Sequence, residues 1–351
     1  MRALPERDLD EITRGARDEL ASLRGARVLV TGATGFVGRW LLASFVHANR
    51  TLGLGAHCTA LARRAHALAD VDPALASEAA ITLVDGDVRS WAPSSDVSFT
   101  HVIHAATSAS TQLNDAEPLE MFATIVDGTR HVLALCERWK SERVLFTSSG
   151  AVYGAQPPSI ERVSEEFLGG PDVLDRRNVY AEAKRVAELC CAVAVAQHGL
   201  PVAIARCFAF SGPLLPLDRH FAFGNFIHAA LTARPIVVEG DGTPRRSYLY
   251  AGDLARWLWT MLVRAPAGRA YNVGSDVVVD IATLARSIGK VAGVPVEVRG
   301  VARSDVAPTR YVPSIDRARI ELGLEGSITL VEAIERTLTW HAPHRAWRAD
   351  G

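Results

Sequence analysis

Short apolar runs alternate along the chain with longer segments whose apolar residues recur at helical spacing. The short runs predict strands at 27–31, 57–62, 81–84, 101–104, 143–148 and 202–208. The longer segments predict helices at 39–48, 118–139 and 180–198. Strands and helices that alternate in this way indicate an α/β fold, a doubly wound parallel sheet covered on both faces. Right-handed crossovers in such a sheet bring all strand C-termini, and therefore the ligands, to one edge.

The alternation changes at both ends of the chain. Residues 1–25 carry leucine, isoleucine and alanine at helical spacing, which predicts a helical extension that covers either the fold or a partner subunit. Beyond residue 211, segments that contain Gly and Pro separate short strands and helices. We therefore expect a main domain over 26–210 and a smaller mixed α/β domain over 211–351, part of which returns to the main domain.

The first predicted strand leads directly into a turn with three glycines, Thr31-Gly32-Ala33-Thr34-Gly35-Phe36-Val37-Gly38. A strand, a glycine turn and a helix in this order are typical of a Rossmann-type dinucleotide-binding domain. Gly32 permits the tight turn, Gly35 lets the backbone approach a pyrophosphate, and Gly38 lets the helix pack closely on the strand. The N–H groups at the helix N-terminus would face the phosphates. An ordinary tight turn explains three glycines alone, but the flanking strand and helix favour a dinucleotide.

Composition and charge argue against several other partners. The net charge of −1 creates no basic field that would attract nucleic acid or an anionic membrane. No apolar run is long enough to span a bilayer, and residues 1–23 do not resemble a signal peptide. The five cysteines show no C-x-x-C spacing, so we expect buried free thiols in a reducing compartment. The expectation is a cytoplasmic protein without nucleic-acid or membrane partners.

A tyrosine and a lysine on the last predicted helix suggest acid–base chemistry. Tyr180 and Lys184 lie one turn apart on one face, where an ammonium would lower the pKa of the phenol toward that of a general base. A serine at the end of the fifth predicted strand, in Thr147-Ser148-Ser149, would hold the substrate oxygen. The alternative is an incidental pair on a solvated helix face. Only three lysines occur in the chain, and this scarcity together with the glycine turn favours the catalytic interpretation.

Further motifs join the glycine turn and the Tyr180/Lys184 pair in one order: Asp85-Gly86-Asp87, His104-Ala105-Ala106 and Ser148-Ser149-Gly150-Ala151-Val152-Tyr153-Gly154. Over residues 26–340 the chain resembles an extended short-chain dehydrogenase/reductase of the NAD-dependent epimerase/dehydratase family. This resemblance implies that the main domain binds NAD(P) and that the C-terminal domain mainly binds a nucleotide-diphosphate sugar. It also implies a homodimer, because the family often pairs through two helices per subunit, here 118–139 and 186–196.

The resemblance also assigns roles to individual residues. Ser149, Tyr180 and Lys184 resemble the catalytic triad: Tyr180 exchanges a proton with a sugar hydroxyl, Lys184 binds the nicotinamide ribose, and Ser149 orients the sugar oxygen. The implied cofactor-binding residues are Gly32, Thr34, Gly35, Phe36, Val37, Gly38, Asp87 (at adenine), Val88, Ala105, Ala106, Thr107, Tyr180 and Lys184. The implied substrate-binding residues are Ser108, Ser149, Asn225, Arg246 and Arg303, with the two arginines on the phosphates. For each of these two arginines, the alternative is an ordinary solvated side chain on the surface.

Departures from the family pattern narrow the expected chemistry. Dehydratases carry Asp-Glu, and sugar-acid decarboxylases a glutamate, after the catalytic Ser or Thr; Gly150 and Ala151 here favour 4-epimerisation or 4-keto reduction at C4 of a hexose. The alternatives are a dehydratase or decarboxylase with atypical acid–base residues and a non-catalytic dinucleotide-binding protein. Ile125, Ala209 and Ser211 also replace the usual Asn, Asn and Tyr, so the sugar is not predicted.

Two arginines bear on the choice of cofactor. Arg63 and Arg64 follow the second predicted strand, where NAD-binding members carry an Asp for the ribose 2′-hydroxyl. The loss of that carboxylate and the gain of two guanidinium groups favour NADP(H) over NAD(H). No metal is expected, because the pairs His101/His104 and His341/His344 lack a converging carboxylate or thiolate.

Overall fold

The structure is a computed structural model that describes residues 3–107, 116–217, 221–303, 305, 307–342 and 344. Two compact units divide the chain. The first unit contains Met1–Gly154, Gly169–Cys207 and Ala255–Tyr271, and the second contains Ala155–Leu168, Phe208–Leu254 and Asn272–Gly351. Each unit is described separately below.

The first unit is built on a seven-stranded sheet. Its strands are β1 (Arg27–Thr31), β2 (His57–Ala62), β3 (Ile81–Asp85), β4 (His101–His104), β5 (Arg143–Ser149), β6 (Val202–Cys207) and, later in the chain, β11 (Ala270–Val273). They lie in the order β11-β6-β5-β4-β1-β2-β3, and β1 to β6 pair in parallel. The predicted α/β doubly wound parallel sheet is therefore confirmed. Strand order reverses at β1, so a crevice opens beside the C-terminal ends of β1 and β4, where such sheets bind ligands.

Helices flank this sheet and follow the predicted periodicity. They are α1 (Glu6–Gly15), α2 (Arg17–Ser22), α3 (Phe36–Thr51), α4 (Leu68–Val71), α5 (Pro73–Ala76), α6 (Pro118–Trp139), α7 (Val179–His198) and most of α9 (Ala251–Arg264). Short 3₁₀ turns occur at Ala65–Ala67, Gly150–Tyr153 and Arg176–Asn178. Proline opens α6 at its first position, and Gly199 ends α7 in the left-handed conformation, both of which are favourable at those helix ends.

The N-terminal extension forms part of the first unit. Ile12, Leu20 and Leu23 are buried, and α1 packs on α3. Asp10 and His47 join the two helices through a contact of 2.9 Å. Of the two predicted alternatives, these contacts show that the extension covers the fold of its own chain. No helix of the described residues is both long and apolar enough to cross a membrane.

Within its described residues, the second unit combines three small sheets with four helices. Its strands are β7 (Phe210–Ser211), β8 (Ile236–Val238), β9 (Arg245–Arg246), β10 (Leu249–Tyr250), β12 (Val279–Asp280), β13 (Val296–Val298) and β14 (Arg310–Tyr311). They pair as β10-β7, β12-β9-β14 and β13-β8. The helices are α8 (Ala222–Leu231), α10 (Ile281–Ala292), α11 (Asp316–Leu322) and α12 (Leu330–His341).

The predicted boundary at residue 211 needs one correction. Residues 155–168 group with the second unit, because Val163 bridges to Pro313 and the Gln156 side chain accepts a hydrogen bond of 2.9 Å from the Val312 N–H. Residues 255–271 group with the first unit, which matches the expectation that part of the C-terminal region returns to it. Trp257 and Trp259 on this returning segment are fully buried.

Candidate active site

The glycine turn after β1 leaves no room for side chains at two of its positions. Gly32 has φ of +71°, and a Cβ there would lie 2.4 Å from the Ala105 carbonyl oxygen. A Cβ at Gly38 would lie 2.5 Å from the Gly32 oxygen and 2.6 Å from the Ala33 Cα. Gly35 is the N-cap of α3 and has an extended backbone. Because glycine has no side chain, nothing at this position caps the helix N-terminus. The glycine cradle, residues 32–38, fits a pyrophosphate. Such a group can accept hydrogen bonds from the backbone N–H groups at the start of α3, because no capping side chain occupies them.

A buried histidine supports the segment opposite the glycine turn. His104 Nδ1 lies 2.8 Å from Thr31 Oγ1, which accepts a hydrogen bond from the Ala106 N–H, and His104 Nε2 lies 3.1 Å from Thr129 Oγ1. Thr129 donates its proton to the Ile125 carbonyl, so Nε2 must carry a proton and donate it. Burial lowers the pKa of His104 to about 3, so the ring is neutral and Nδ1 accepts from Thr31. The chain of bonds fixes the Ala106 backbone beside the glycine turn.

Both predicted histidine pairs lack the surroundings of a metal site. His101 Nδ1 lies 2.9 Å from Thr100 Oγ1, and the His104 ring nitrogens contact two threonine hydroxyls. Across the residues that the structure describes, no group of three or more His, Cys, Asp or Glu side chains is arranged to hold a metal ion. The five cysteines are free thiols; three are buried, and Cys190 and Cys207 are partly exposed.

The three predicted catalytic residues come together at the C-terminal end of β5. Ser149 is its last residue, and its side chain forms a hydrogen bond with Tyr180 on α7. Lys184, one turn further along α7, is 1% exposed and donates a hydrogen bond of 2.7 Å to the Thr147 carbonyl. Its Nζ lies 4.8 Å from the centre of the Phe146 ring. Strand β5 and helix α7 therefore hold a serine, a tyrosine and a lysine together as the sequence predicts.

The pKa of Tyr180 shifts in the opposite direction to the one predicted from the neighbouring ammonium. Burial raises the pKa of Tyr180 to about 12, and the Ser149 hydrogen bond opposes this only in part. Burial also lowers the pKa of Lys184 to about 8. Lys184 directs its ammonium at the Thr147 carbonyl, and the loss of water around the phenol outweighs any neighbouring charge. At neutral pH Tyr180 is therefore a protonated phenol, ready to donate its proton.

The residues after Ser149 carry no acid. Gly150–Tyr153 forms a 3₁₀ turn in which the Ala151 N–H donates a hydrogen bond of 3.2 Å to Ser149 Oγ. This bond orients the serine hydroxyl with a backbone group. Gly150 and Ala151 thus lie directly beside Ser149, and neither supplies a carboxylate or an imidazole.

Asp87, the residue predicted to lie at adenine, belongs to an ion pair that sequence reasoning missed. Arg89 binds both carboxylate oxygens of Asp87, with Nε–Oδ1 of 2.9 Å and Nη2–Oδ2 of 2.6 Å, and it also contacts Glu120. The Arg89 hydrogen bonds hold the pKa of Asp87 below its usual range, to which the charge of Arg63 adds. Arg63 and Arg64 lie exposed in the turn after β2. The only sequence signal for Arg89 is its spacing of two residues from Asp87.

The other predicted cofactor residues line the same edge of the first unit. Thr34, Phe36 and Val37 are half-buried around the start of α3, and Val88 is buried after β3. Ala105, Ala106 and Thr107 follow β4 and are also half-buried. The Thr107 hydroxyl is buried, and no group among the described residues forms a hydrogen bond with it, which fits a position that a ligand completes. Ser108 lies outside the described residues.

The predicted substrate residues of the second unit differ in their surroundings. Asn225 is exposed on α8, and Arg303 is exposed and paired with Asp305 at 2.7 Å. Arg246 on β9 is half-buried, and burial lowers its pKa although the phenols of Tyr248 and Tyr311 lie near it. A partly buried arginine that lies near uncharged phenols is suited to bind an anion.

Sequence reasoning missed a further arginine in this unit. Arg310 on β14 pairs with Arg245 on β9 in the parallel register. The Arg310 Nε is buried, and among the described residues no group accepts a hydrogen bond from it. The only local signal is a single arginine before Tyr311, which does not distinguish it from Arg303. Arg310 therefore joins Arg246 as a candidate phosphate ligand.

Comparisons with known proteins identify the family of the chain. The model of the NAD dependent epimerase/dehydratase family matches residues 28–274. UDP-glucuronic acid decarboxylase 1 of Xenopus tropicalis is 30% identical over 237 residues, which cover 68% of this chain and 55%, about half, of that protein. The dTDP-glucose 4,6-dehydratase of Streptomyces niveus is 25% identical over 332 residues, covering 92% and 94% respectively.

One solved structure is similar over nearly its whole length. An epimerase from Methanothermobacter thermautotrophicus superimposes with a TM-score of 0.78 at 26% identity, covering 94% of this chain and 96% of that one. The names of these three similar proteins denote three different reactions. Since the family model spans more than half of the chain, from β1 to beyond β11, this chain belongs to the NAD-dependent epimerase/dehydratase family.

Proposed function

We propose that the protein is an NAD(P)-dependent oxidoreductase that acts at C4 of a nucleotide-diphosphate hexose and either epimerises it or reduces its 4-keto form. The observation that carries this proposal is the cluster of Ser149, Tyr180 and Lys184 in the same unit as the glycine cradle. When bound, NAD(P) supplies a nicotinamide that accepts a hydride from C4 or delivers one to it.

The three side chains would handle the proton that accompanies each hydride. The phenol of Tyr180, whose pKa burial raises to about 12, donates its proton to the keto oxygen during reduction. In oxidation the phenol first releases its proton to solvent, a loss that the Ser149 hydrogen bond favours, and the phenolate then takes the proton from the C4 hydroxyl. The Lys184 ammonium would hold the nicotinamide ribose, and Arg246 and Arg310 would bind the diphosphate.

Decarboxylation is the second candidate, because the Xenopus relative is named for that reaction. Against it stands the 3₁₀ turn after Ser149, where Gly150 and Ala151 supply no acid or base. Hydride transfer followed by its return needs only the triad, whereas elimination and decarboxylation need a further ionisable group. The turn therefore supports epimerisation or ketoreduction over the second candidate.

A substrate panel tests the proposal. The protein is incubated with UDP- and dTDP-linked glucose, galactose and glucuronic acid in the presence of NAD⁺ or NADP⁺, and with a dTDP-linked 4-keto hexose in the presence of NADH or NADPH. The products are read by proton NMR. A C4 epimer without net cofactor turnover indicates an epimerase, and NADPH consumption on a 4-keto sugar indicates a ketoreductase. Release of CO₂ with a pentose product from UDP-glucuronic acid would establish the second candidate. Absence of any C4 chemistry across the panel would contradict the proposal.

We further propose that NADP(H) is the preferred cofactor. Replacing Arg63 and Arg64 together by alanine is expected to weaken NADP⁺ binding by about 10–100-fold, because hydrogen bonds to a charged phosphate are worth about 1.5–3 kcal/mol. NAD⁺ binding should remain nearly unchanged, since it lacks the 2′-phosphate. Calorimetric titration with each nucleotide measures both. Arg130→Ala, at an exposed arginine on α6, is the matched control, and equal losses for the two nucleotides would refute the preference.

A homodimer is also proposed. Helices α6 and α7 pack against each other within the first unit, and they expose the apolar residues Leu119, Leu189 and Val193. Leu189 and Val193 lie one turn apart, so a second copy would cover a single stripe. Replacing both with glutamate is expected to convert a dimer to a monomer in sedimentation velocity runs. Exposed Ile320→Glu on α11 serves as the control, and an unaltered sedimentation coefficient for the double variant would refute this interface.

A further inference from the structure

A buried ion pair lies next to the catalytic residues. Arg206 on β6 forms a bidentate contact with Glu188 on α7, with Nε–Oε1 of 3.0 Å and Nη2–Oε2 of 2.7 Å. The two side chains are 17% and 11% exposed. A two-armed contact of this kind fixes the relative orientation of both groups. The pair therefore locks α7 to the strand that neighbours β5.

Two further hydrogen bonds extend this lock to the segment that carries Ser149. Ser148 donates a hydrogen bond of 2.5 Å to Glu188, and Arg206 donates one of 2.9 Å to the Tyr153 hydroxyl. Ser148 and Arg206 are also direct partners in the β5–β6 register. Ser148 precedes the catalytic serine, and Tyr153 closes the 3₁₀ turn that follows it. The pair thus contacts both sides of Ser149 as well as the helix of Tyr180.

We propose that Glu188 and Arg206 are positioning residues that set the spacing of Ser149, Tyr180 and Lys184, and that Glu188 also supplies the negative charge that supports the Lys184 ammonium. Glu188 lies one turn beyond Lys184 on the same face of α7, and its charge opposes the effect of burial by raising the pKa of Lys184. This assignment rests on the proposed function for its catalytic meaning, but the effect on Lys184 can be measured without a substrate.

The surroundings of Lys184 leave Glu188 as its source of negative charge near neutral pH. Cys207 on β6 and Cys191 on α7 face the lysine, but burial raises the pKa of each thiol, to about 12 for Cys207, so both are uncharged. His104 on β4 is neutral, and Tyr180 keeps its proton. Arg206 approaches from β6, where its guanidinium nitrogens contact Glu188 and Tyr153; of the two ion-paired groups, it is the charge of Glu188 that raises the pKa of Lys184. Removing the Glu188 charge should therefore lower the pKa of Lys184 further.

The scarcity of lysine makes this measurable. With only Lys140, Lys184 and Lys290 in the chain, a protein labelled with ¹³C at lysine Cε gives three signals, and Lys184→Met identifies the one of interest. The full-length protein is titrated between pH 6 and pH 11, first alone and then with saturating NADP⁺. In Glu188→Gln we expect the midpoint of the Lys184 titration, its apparent pKa, to lie at a lower pH than in the parent. A midpoint equal to the parent's would overturn the proposal.

A matched control separates this effect from the loss of any buried ion pair. Glu332 and Arg336 on α12 form a similar pair at 2.7 Å, and Arg336 stacks on Tyr250 as Arg206 does on Tyr153. Glu332→Gln is expected to leave the Lys184 midpoint where it is in the parent. An equal shift in this control would show that the change is non-specific and would overturn the proposal.

A second variant covers the case in which Glu188→Gln fails to fold. Replacing both Glu188 and Arg206 with methionine removes the pair without leaving an unpaired charge, and such apolar replacements often preserve stability. This variant should unfold at a similar temperature to the parent but titrate with a lowered Lys184 midpoint. On any sugar nucleotide that the parent converts, it should lose about 100-fold in kcat with little change in KM. A parent-like midpoint or kcat would overturn the positioning role, whereas failure of the parent to convert any sugar would count only against the proposed function.

Discussion

Tyr180→Phe is expected to reduce conversion of the sugar nucleotide by about 10²–10⁴-fold, the usual contribution of a positioned acid–base group. The phenol forms a hydrogen bond with Ser149, and its removal deletes one atom from the end of a half-buried ring. The ring itself and the Lys184–Thr147 hydrogen bond remain. NADP⁺ affinity should therefore stay within about threefold of the parent, since changes that leave the contacts of a binding site intact cost little.

The comparison variant for this prediction is Tyr271→Phe, at a fully buried tyrosine on β11 of the same unit. It removes the same atom away from the triad, so it should retain the activity of the parent. Product formation is followed by proton NMR, and NADP⁺ binding is measured by calorimetric titration. Full activity in Tyr180→Phe would refute the acid–base assignment. A parallel loss of NADP⁺ binding would instead indicate a role in holding the cofactor.

The elements of the first unit that the sequence predicts best are those with strong local signals. The bounds of His57–Ala62, His101–His104 and Pro118–Trp139 match the prediction, because apolar runs and a helix-opening proline are read within a few residues. In the second unit, β7, β9, β10 and β14 contain two residues each. Strands this short are specified by partners far away in the chain, as in the pairing of Arg245 with Arg310, and leave no periodicity to detect.

The residues of the candidate site also differ in whether the sequence alone could identify them. The glycine turn and the Tyr180/Lys184 spacing are local patterns, so they could be identified from the sequence. Ser148 and Glu188 are 40 residues apart, and only the packing of α7 on β5 reveals their contact. The pKa of Tyr180 was predicted with the wrong sign because neighbouring charges are visible in a sequence, whereas the depth of burial is not.

Gly38→Ala has the second large expected effect, and two physical terms predict opposite results for it. Gly38 is the third residue of α3, where helix propensity alone would make alanine more stable by about 1 kcal/mol. The close approach of the turn opposes this, since the new Cβ would lie 2.5 Å from the Gly32 oxygen and 2.6 Å from the Ala33 Cα. Both neighbours are backbone atoms, so neither can rotate away.

Steric overlap should therefore outweigh propensity. We expect the free energy of unfolding to fall by about 1–3 kcal/mol, the usual cost of overpacking, and NADP⁺ affinity to fall by at least about tenfold, because the helix must shift away from the phosphate cradle. Gly326→Ala is the matched control, since a Cβ there meets only the tip of the Leu249 side chain at 3.4 Å, and its stability should change by less than about 0.5 kcal/mol. Urea unfolding and calorimetric titration measure the two quantities. If Gly38→Ala were more stable than the parent, the turn would have room for a Cβ at this position. It would then not be the closely packed cradle on which the nucleotide assignment depends.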